Sequence, residues 1–213
     1  MIGLGLAIHG YSQSFLTNGL VGYYPFTGNA NDAAGTNNGT VYGATLTANR
    51  FGEPNQAYHF DGQSKIAASD AMLPLGNAPR TISLWVNISA SDTNRVYAIP
   101  FQYGGHSPGQ GCWVTIVTQE DVLHRPPGTV WFDFYDQAVF SSNYVQFSKW
   151  QHLVCSLDNT ATARFFINGV LTGSNPVSIN TTASGQMSMG SHNSADPAPI
   201  QSLWFNSRGG ALN

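Results

Sequence analysis

Apolar and polar side chains alternate with a period of two residues along much of this 213-residue chain. The clearest example is the segment 80–89, whose even positions from 82 onward carry Ile82, Leu84, Val86 and Ile88. Its odd positions carry Thr, Ser, Trp, Asn and Ser. Successive side chains of a β-strand point to opposite faces of a sheet, so this pattern predicts a strand with one buried face. Helical periodicity, with apolar residues every three to four positions, is hard to find elsewhere in the chain.

Further apolar runs predict more short strands, at residues 41–46, 57–60, 96–103, 112–118, 129–135, 151–157 and 163–167. Turn-forming pairs separate these runs, among them Asp61-Gly62 and Asn168-Gly169. The polar segment 184–198 is predicted to be a loop. Many short strands joined by such turns indicate an all-β fold, a two-sheet antiparallel β-sandwich or jelly roll, rather than alternating strands and helices.

The chain is poor in charge, which limits the ligands it suits. Only 9% of its residues are charged, against about 25% in ordinary soluble domains. The net charge is −3, and the eight Lys and Arg residues are scattered singly. This distribution argues against nucleic acid as a partner, and a surface of Ser, Thr, Asn, Gln and Gly suits neutral hydroxylated ligands. No run of 18 apolar residues predicts a membrane span, and the sequence leaves the oligomeric state open.

The N-terminal residues 1–14 differ from the rest of the chain. A short apolar run is followed by Gly10, Tyr11 and Ser12, with small residues at the −3 and −1 positions before Gln13. This pattern resembles the end of a secretory signal, although the positively charged first part is missing. We predict a signal-peptide remnant in residues 1–14, with an apolar N-terminus as the alternative, and a single domain over residues 15–213.

The two cysteines, Cys112 and Cys155, each share strand parity with apolar neighbours, so both thiols are predicted to face the core. A disulfide between them would close a long loop and add about 4 kcal/mol of stability in the chain-entropy description. Two buried free thiols are the alternative, because the sequence does not give the separation of the two Cα atoms.

Several motifs occur in the order found in one family. They are GLVGYYPFTGNAND at 19–32, NGTV at 38–41, RFG at 50–52, AYHFDG at 57–62, TISLWV at 81–86, WQHLV at 150–154 and FFING at 165–169. Together this ordered set resembles LamG-like jelly-roll domains of the concanavalin A-like lectin/glucanase superfamily. The resemblance implies two antiparallel sheets packed as a curved sandwich. The ending at 200–213 lacks the family's acidic pair, which predicts a degenerate or truncated last strand.

The polar stretch 28–40 has two interpretations. The resemblance to the family allows calcium in loops of this kind, and hard oxygens are available on Asn29, Asn31 and Asp32, with a second carboxylate on Asp61. A single local carboxylate is few for a tight calcium site. The alternative is a long connection whose Gly and Asn residues supply turns.

The segment 129–136 carries the strongest binding pattern. Its even positions are apolar, whereas Trp131, Asp133 and Tyr135 place a ring, a carboxylate and a ring on the other face. Sugars stack their C–H faces on aromatic rings while a carboxylate accepts hydroxyl hydrogens, so we predict these three residues as ligand contacts. Trp113 with Thr115 has the same mixed character. The alternative is that these rings pack beneath loops.

No catalytic residues are predicted. A glycosidase needs two carboxylates on one face, and the acidic pairs Glu120-Asp121 and Asp133/Asp136 are spaced so that they diverge on a strand. The prediction is therefore a non-catalytic carbohydrate-binding or adhesion module, secreted or at the cell surface. One alternative is a polysaccharide-degrading glycosidase or lyase on the same fold, and another is a ligand-free structural module of a larger surface protein. Complete burial of Trp131 and Tyr135 would favour the structural module.

Overall fold

The computed structural model describes residues 18–89, 96–190 and, for the backbone alone, 200–206. Within these ranges the chain forms antiparallel strands and no helix, which confirms the all-β jelly-roll prediction. The described part accordingly holds no helix long and apolar enough to cross a membrane. The predicted signal remnant at residues 1–14 lies outside the described residues.

In chain order, the strands are β1 (Leu20–Tyr24), β2 (Thr40–Tyr42), β3 (Thr45–Thr47), β4 (Ala57–His59), β5 (Lys65–Ala68), β6 (Arg80–Asn87), β7 (Tyr97–Gly104), β8 (Gly111–Val117), β9 (Val130–Asp133), β10 (Ala138–Phe140), β11 (Trp150–Leu157), β12 (Thr162–Ile167), β13 (Val170–Pro176), β14 (Met187–Met189) and β15 (Ile200–Asn206). The first sheet has the order β13-β12-β11-β6-β15-β4-β3, with β1 paired to β15. The second sheet has the order β10-β9-β8-β7-β14-β5-β2. Many neighbours in these sheets are distant in sequence, as in jelly rolls.

The core lies between the two sheets and follows the predicted alternation. Ile82, Leu84 and Val86 of β6 are buried, as are Val114 and Ile116 of β8. Burial of each large apolar side chain contributes about 1.5–3 kcal/mol relative to exposure. The outward-pointing side chains of each sheet are not part of this core and are available to contact a ligand.

Two local predictions were wrong. The single strand predicted at 41–46 is divided at Gly43, whose φ of +76° turns the chain from β2 in the second sheet to β3 in the first. The loop predicted at 184–198 contains β14, where fully buried Met187 and Met189 supply the apolar alternation. At the C-terminal end, the segment that lacks the family's acidic pair forms β15, which pairs with β1, β4 and β6.

The predicted disulfide is absent, since Cys112 and Cys155 are both free and buried. Cys112 lies on β8 and Cys155 on β11, in opposite sheets. Packed sheets are about 10 Å apart, whereas the Cα atoms of a disulfide are about 4.4–6.8 Å apart. Burial raises the pKa of both thiols, which keeps them protonated. The alternative of two buried free thiols is the arrangement observed.

Candidate functional site

The candidate site is the face of the second sheet that points away from the core, and we call it the outer face. Its side chains come from four adjacent strands: Tyr97, Gln102, Trp113, Thr115, Trp131, Asp133 and Phe140. The register shift between Ala98 and Phe101 brings Tyr97 and Gln102 of β7 to the same face. Strand pairing places them in two rows. Gln102, Trp113 and Asp133 form one row, and Thr115, Trp131 and Phe140 form the next.

Trp131 is half-buried, and its ring is surrounded. The ring centroids of Tyr97 and Phe140 lie 5.4 Å and 5.2 Å away. The guanidinium of Arg125 lies 3.6 Å from the Trp131 ring centroid, a cation–π contact. Arg125 is itself held by Asp121, with 2.5 Å between Nε and Oδ2. Arg125, in the loop after β8, thus covers part of the Trp131 ring, which the sequence analysis predicted as a stacking surface for sugar.

Tyr135 and Phe140 are exposed rings of the outer face, with 46% and 42% of their surfaces exposed. The strand predicted through residue 135 ends at Asp133, and Tyr135 sits in the β9–β10 turn with φ +87°. Its position therefore comes from the turn and not from strand alternation. The Tyr135 and Trp113 rings meet edge to face at 5.7 Å, and His106 packs 5.2 Å from Trp113 on the exposed end of the row.

Asp133 lies between these aromatic rings and is 9% exposed. Its Oδ1 accepts the backbone N–H of Tyr135 at 2.8 Å, which joins the carboxyl group to the turn. Burial raises the pKa of Asp133 to about 6, although the backbone N–H groups of Tyr135 and Phe134 act in the opposite direction. Above that pH the group is a carboxylate that can accept hydrogen bonds from ligand hydroxyls.

Three buried side-chain polar atoms within the described residues lack a hydrogen-bond partner, and all three are on the outer face. They are Oε1 of Gln102, Oγ1 of Thr115 and Nε1 of Trp131. Sequence reasoning missed Gln102, although its position between the core residues Phe101 and Tyr103 places it outward by parity. The structure thus brings the predicted Trp131, Asp133 and Tyr135 together and adds Gln102, Trp113 and Thr115.

Two of the residues predicted to bind calcium, Asp32 and Asn29, hold the opening loop in shape through side-chain hydrogen bonds. Oδ1 of Asp32 accepts the backbone N–H groups of Tyr23 and Ala34, both at 2.9 Å. Oδ1 of Asn29 accepts the N–H of Asn31 at 2.9 Å. Asp61 performs the same task in its own turn, where the N–H of Gln63 is the largest cause of its lowered pKa.

Across residues 18–89 and 96–190, no three His, Cys, Asp or Glu side chains cluster as metal ligands. The side chains of Asn29 and Asp32 hydrogen-bond within the opening loop, and that of Asp61 within a separate turn. Calcium at these residues stays a prediction.

A second polar cluster lies on the outward side of the first sheet. Oγ of Ser83 and Nε2 of His152 are 2.7 Å apart, and the His152 ring stacks on Trp85 at 5.1 Å. Arg50 lies 4.4 Å from the Trp85 ring centroid. Burial, followed by the charge of Arg50, lowers the pKa of His152. Because Ser83 is buried, this cluster acts to tie β6 to β11.

Comparison with known sequences assigns a family to most of this chain. A family model described as the concanavalin A-like lectin/glucanases superfamily, Laminin_G_3, matches residues 60–201. A search of curated proteins gives no match.

Solved structures with the same architecture are found at low sequence identity. Domain 4 of AbnA, a GH43 extracellular arabinanase from Geobacillus stearothermophilus solved in complex with arabinotriose, is 21% identical with a TM-score of 0.66. The alignment covers 91% of this chain and 94% of that domain. A structure of botulinum neurotoxin type C, whose cell entry depends on interaction with two ganglioside molecules, is 12% identical with a TM-score of 0.67, covering 94% and 50% of the two chains.

The binding domain of botulinum neurotoxin serotype G is 15% identical with a TM-score of 0.67, covering 91% of this chain and 48% of that one. The present chain therefore spans about half the length of the neurotoxin structures that it matches. At these identities the similarity establishes a shared fold.

Proposed function

Because the chain belongs to the Laminin_G_3 family of the concanavalin A-like lectin/glucanase superfamily, we propose that it is a non-catalytic carbohydrate-binding module. Domain 4 of the arabinanase was solved with arabinotriose, and the neurotoxin type C relative interacts with gangliosides. These ligands make carbohydrate the first class to test. An extracellular location belongs to the same proposal.

The observation that carries this proposal is the combination of rings and a carboxyl group on the outer face. Tyr135 is exposed above Trp113, and its backbone N–H binds the carboxyl group of Asp133. A sugar ring placed on Tyr135 brings its hydroxyl groups near Asp133, which fits the apolar faces and polar edges of carbohydrates. Because Trp131 is only half-buried and Tyr135 is exposed, the condition that favoured a ligand-free structural module is not met.

Replacing Tyr135 with alanine is expected to weaken glycan binding by about 2- to 10-fold, the effect of losing one aromatic contact of about 0.5–1.5 kcal/mol. The measurement is isothermal titration with neutral oligosaccharides selected on a glycan array. Tyr144→Ala is the matched control, because Tyr144 is also exposed but lies beside Gly128 at the other end of β9.

Absence of binding to every glycan on the array, or equal losses in the two tyrosine variants, would contradict the proposal. Repeating the titration in EDTA tests the calcium prediction, since removal of a required cation abolishes binding. Release of shorter oligosaccharides during long incubation would show that the module is an enzyme.

A further inference from the structure

The three unpartnered polar atoms of the outer face are close neighbours. Thr115 pairs with Trp131 across β8 and β9, and Gln102 pairs with Trp113, two residues before Thr115 on the same side of β8. Adjacent strands are about 4.8 Å apart and alternate residues about 6.8 Å apart, so Thr115 lies about 5 Å from Trp131 and about 8 Å from Gln102, and the whole set spans about 12 Å. This distance matches the size of one or two sugar rings.

Buried polar atoms in folded proteins nearly always have a hydrogen-bond partner, so three exceptions on one surface call for an explanation. Thr115 is 2% exposed, and Nε1 of Trp131 is buried as well. Neither atom therefore forms a hydrogen bond with bulk water. A hydroxyl group supplied from outside the chain would satisfy them, provided that the side chains covering them, Arg125 over the Trp131 ring among them, move aside.

The chemistry of the three atoms limits that partner. Gln102 offers an acceptor through Oε1, Trp131 offers a donor through Nε1, and the Thr115 hydroxyl can do both. A hydroxyl group is a donor and an acceptor, so adjacent hydroxyls of a sugar match the set. An anionic group does not, because Oε1 of Gln102 and the carboxyl of Asp133 both repel it. The neighbouring cation, Arg125, is already bound to Asp121.

We propose that Gln102, Thr115 and Trp131 form the floor of a subsite for adjacent hydroxyl groups of an uncharged sugar, and that the module selects neutral glycans over acidic ones. This inference rests on the proposed carbohydrate-binding function and names the ligand class for that site. The rings of Trp113 and Trp131 flank the subsite, and Tyr135 marks its exposed end.

The test combines two conservative variants with neutral and acidic probes. Thr115→Val removes one hydroxyl, and Trp131→Phe removes the indole N–H while keeping an aromatic ring. Thr45→Val and Trp150→Phe are matched controls on the first sheet. The neutral probes are arabinotriose, xylotriose and cellotriose, and the acidic probes are trigalacturonate and sialyllactose. Thermal unfolding of each variant confirms that it is folded.

We expect at least one neutral trisaccharide to bind at least tenfold more tightly than either acidic probe. We also expect Thr115→Val and Trp131→Phe each to weaken that binding by about 2- to 10-fold, the effect of one lost hydrogen bond, while the controls stay within twofold. Binding that depends on Tyr135 but not on Thr115 or Trp131 would overturn the subsite and leave the proposed function standing. Preference for an acidic probe would overturn the selectivity, and no binding at all would remove both proposals.

Discussion

Replacing Arg80 with methionine is expected to lower the free energy of unfolding by about 3–5 kcal/mol. Arg80 is 1% exposed and belongs to none of the ion pairs found among the described residues. Its side chain instead satisfies four acceptors in the interior. Methionine fills a similar volume but donates no hydrogen bond, so these acceptors lose their partner at about 1–3 kcal/mol each. Removal of a buried charge offsets part of that loss.

The bonds of Arg80 join several segments of the chain. Nε donates to Ala78 O at 2.9 Å and Nη2 to Gly76 O at 2.8 Å. Nη1 donates to the Tyr103 hydroxyl at 2.7 Å and to Thr181 Oγ1 at 3.0 Å. The guanidinium therefore links the start of β6 to β7 and to the segment before β14.

Urea-induced unfolding measures this effect, and Arg164→Met is the matched control. Arg164 pairs with Asp158 at 2.6 Å near the surface, so its replacement is expected to cost at most about 1 kcal/mol. Arg80→Lys is expected to recover only part of the loss, because an ammonium lacks the planar fork of donors. Equal losses for Arg80→Met and Arg164→Met would contradict this role.

Replacing Gly190 with alanine is expected to lower the free energy of unfolding by about 2–5 kcal/mol. Gly190 has φ +83°, a region that costs an alanine about 1–2 kcal/mol. A Cβ atom there would also lie 2.1 Å from the ring of Phe60, which is fully buried. Overpacking of this kind adds about 1–3 kcal/mol, because the surrounding core has to shift.

Gly169→Ala separates the two causes. Gly169 has nearly the same φ, +81°, but its Cβ position has no atom within 4 Å. Urea unfolding should therefore show a loss of about 1–2 kcal/mol for Gly169→Ala and a clearly larger one for Gly190→Ala. The double variant Phe60→Leu/Gly190→Ala should lose less than the sum of its single changes, because the smaller side chain relieves the clash. Strict additivity would show that Phe60 is not the cause.

Most of the fold could be predicted from strand alternation, because successive side chains of any extended chain point to opposite faces. The even positions of 80–89 face the core as expected, and Asn168-Gly169 forms the predicted turn, with φ values of +51° and +81°. The same parity puts Arg80 on the core side, a consequence that the sequence interpretation did not draw. The burial of Arg80 was not predicted because charged residues are seldom found in a protein core.

The site was harder to predict because turns and distant partners determine it. Alternation put Tyr135 on the face with Trp131 and Asp133, but its exposure comes from the left-handed turn after Asp133. The cover over Trp131 comes from Arg125, a loop residue whose position no periodic pattern gives. Gln102 joins the site only through the pairing of β7 with β8.

The opening polar loop gives the same lesson. Its residues suggested a metal site because side-chain oxygens are what calcium binds. In the structure, the oxygens of Asp32 and Asn29 accept backbone N–H groups nearby, and calcium at this loop stays a prediction. Composition alone does not distinguish these two uses of the same atoms.

The central claim, that sugar binds the outer face of the second sheet, is tested most directly by NMR titration of the tryptophan indole N–H signals. Trp113 and Trp131 lie on that face, whereas Trp85 and Trp150 belong to strands of the first sheet. Adding a neutral trisaccharide that binds should shift the signals of Trp113 and Trp131 and leave those of Trp85 and Trp150 unchanged. Shifts confined to Trp85 or Trp150 would contradict the claim.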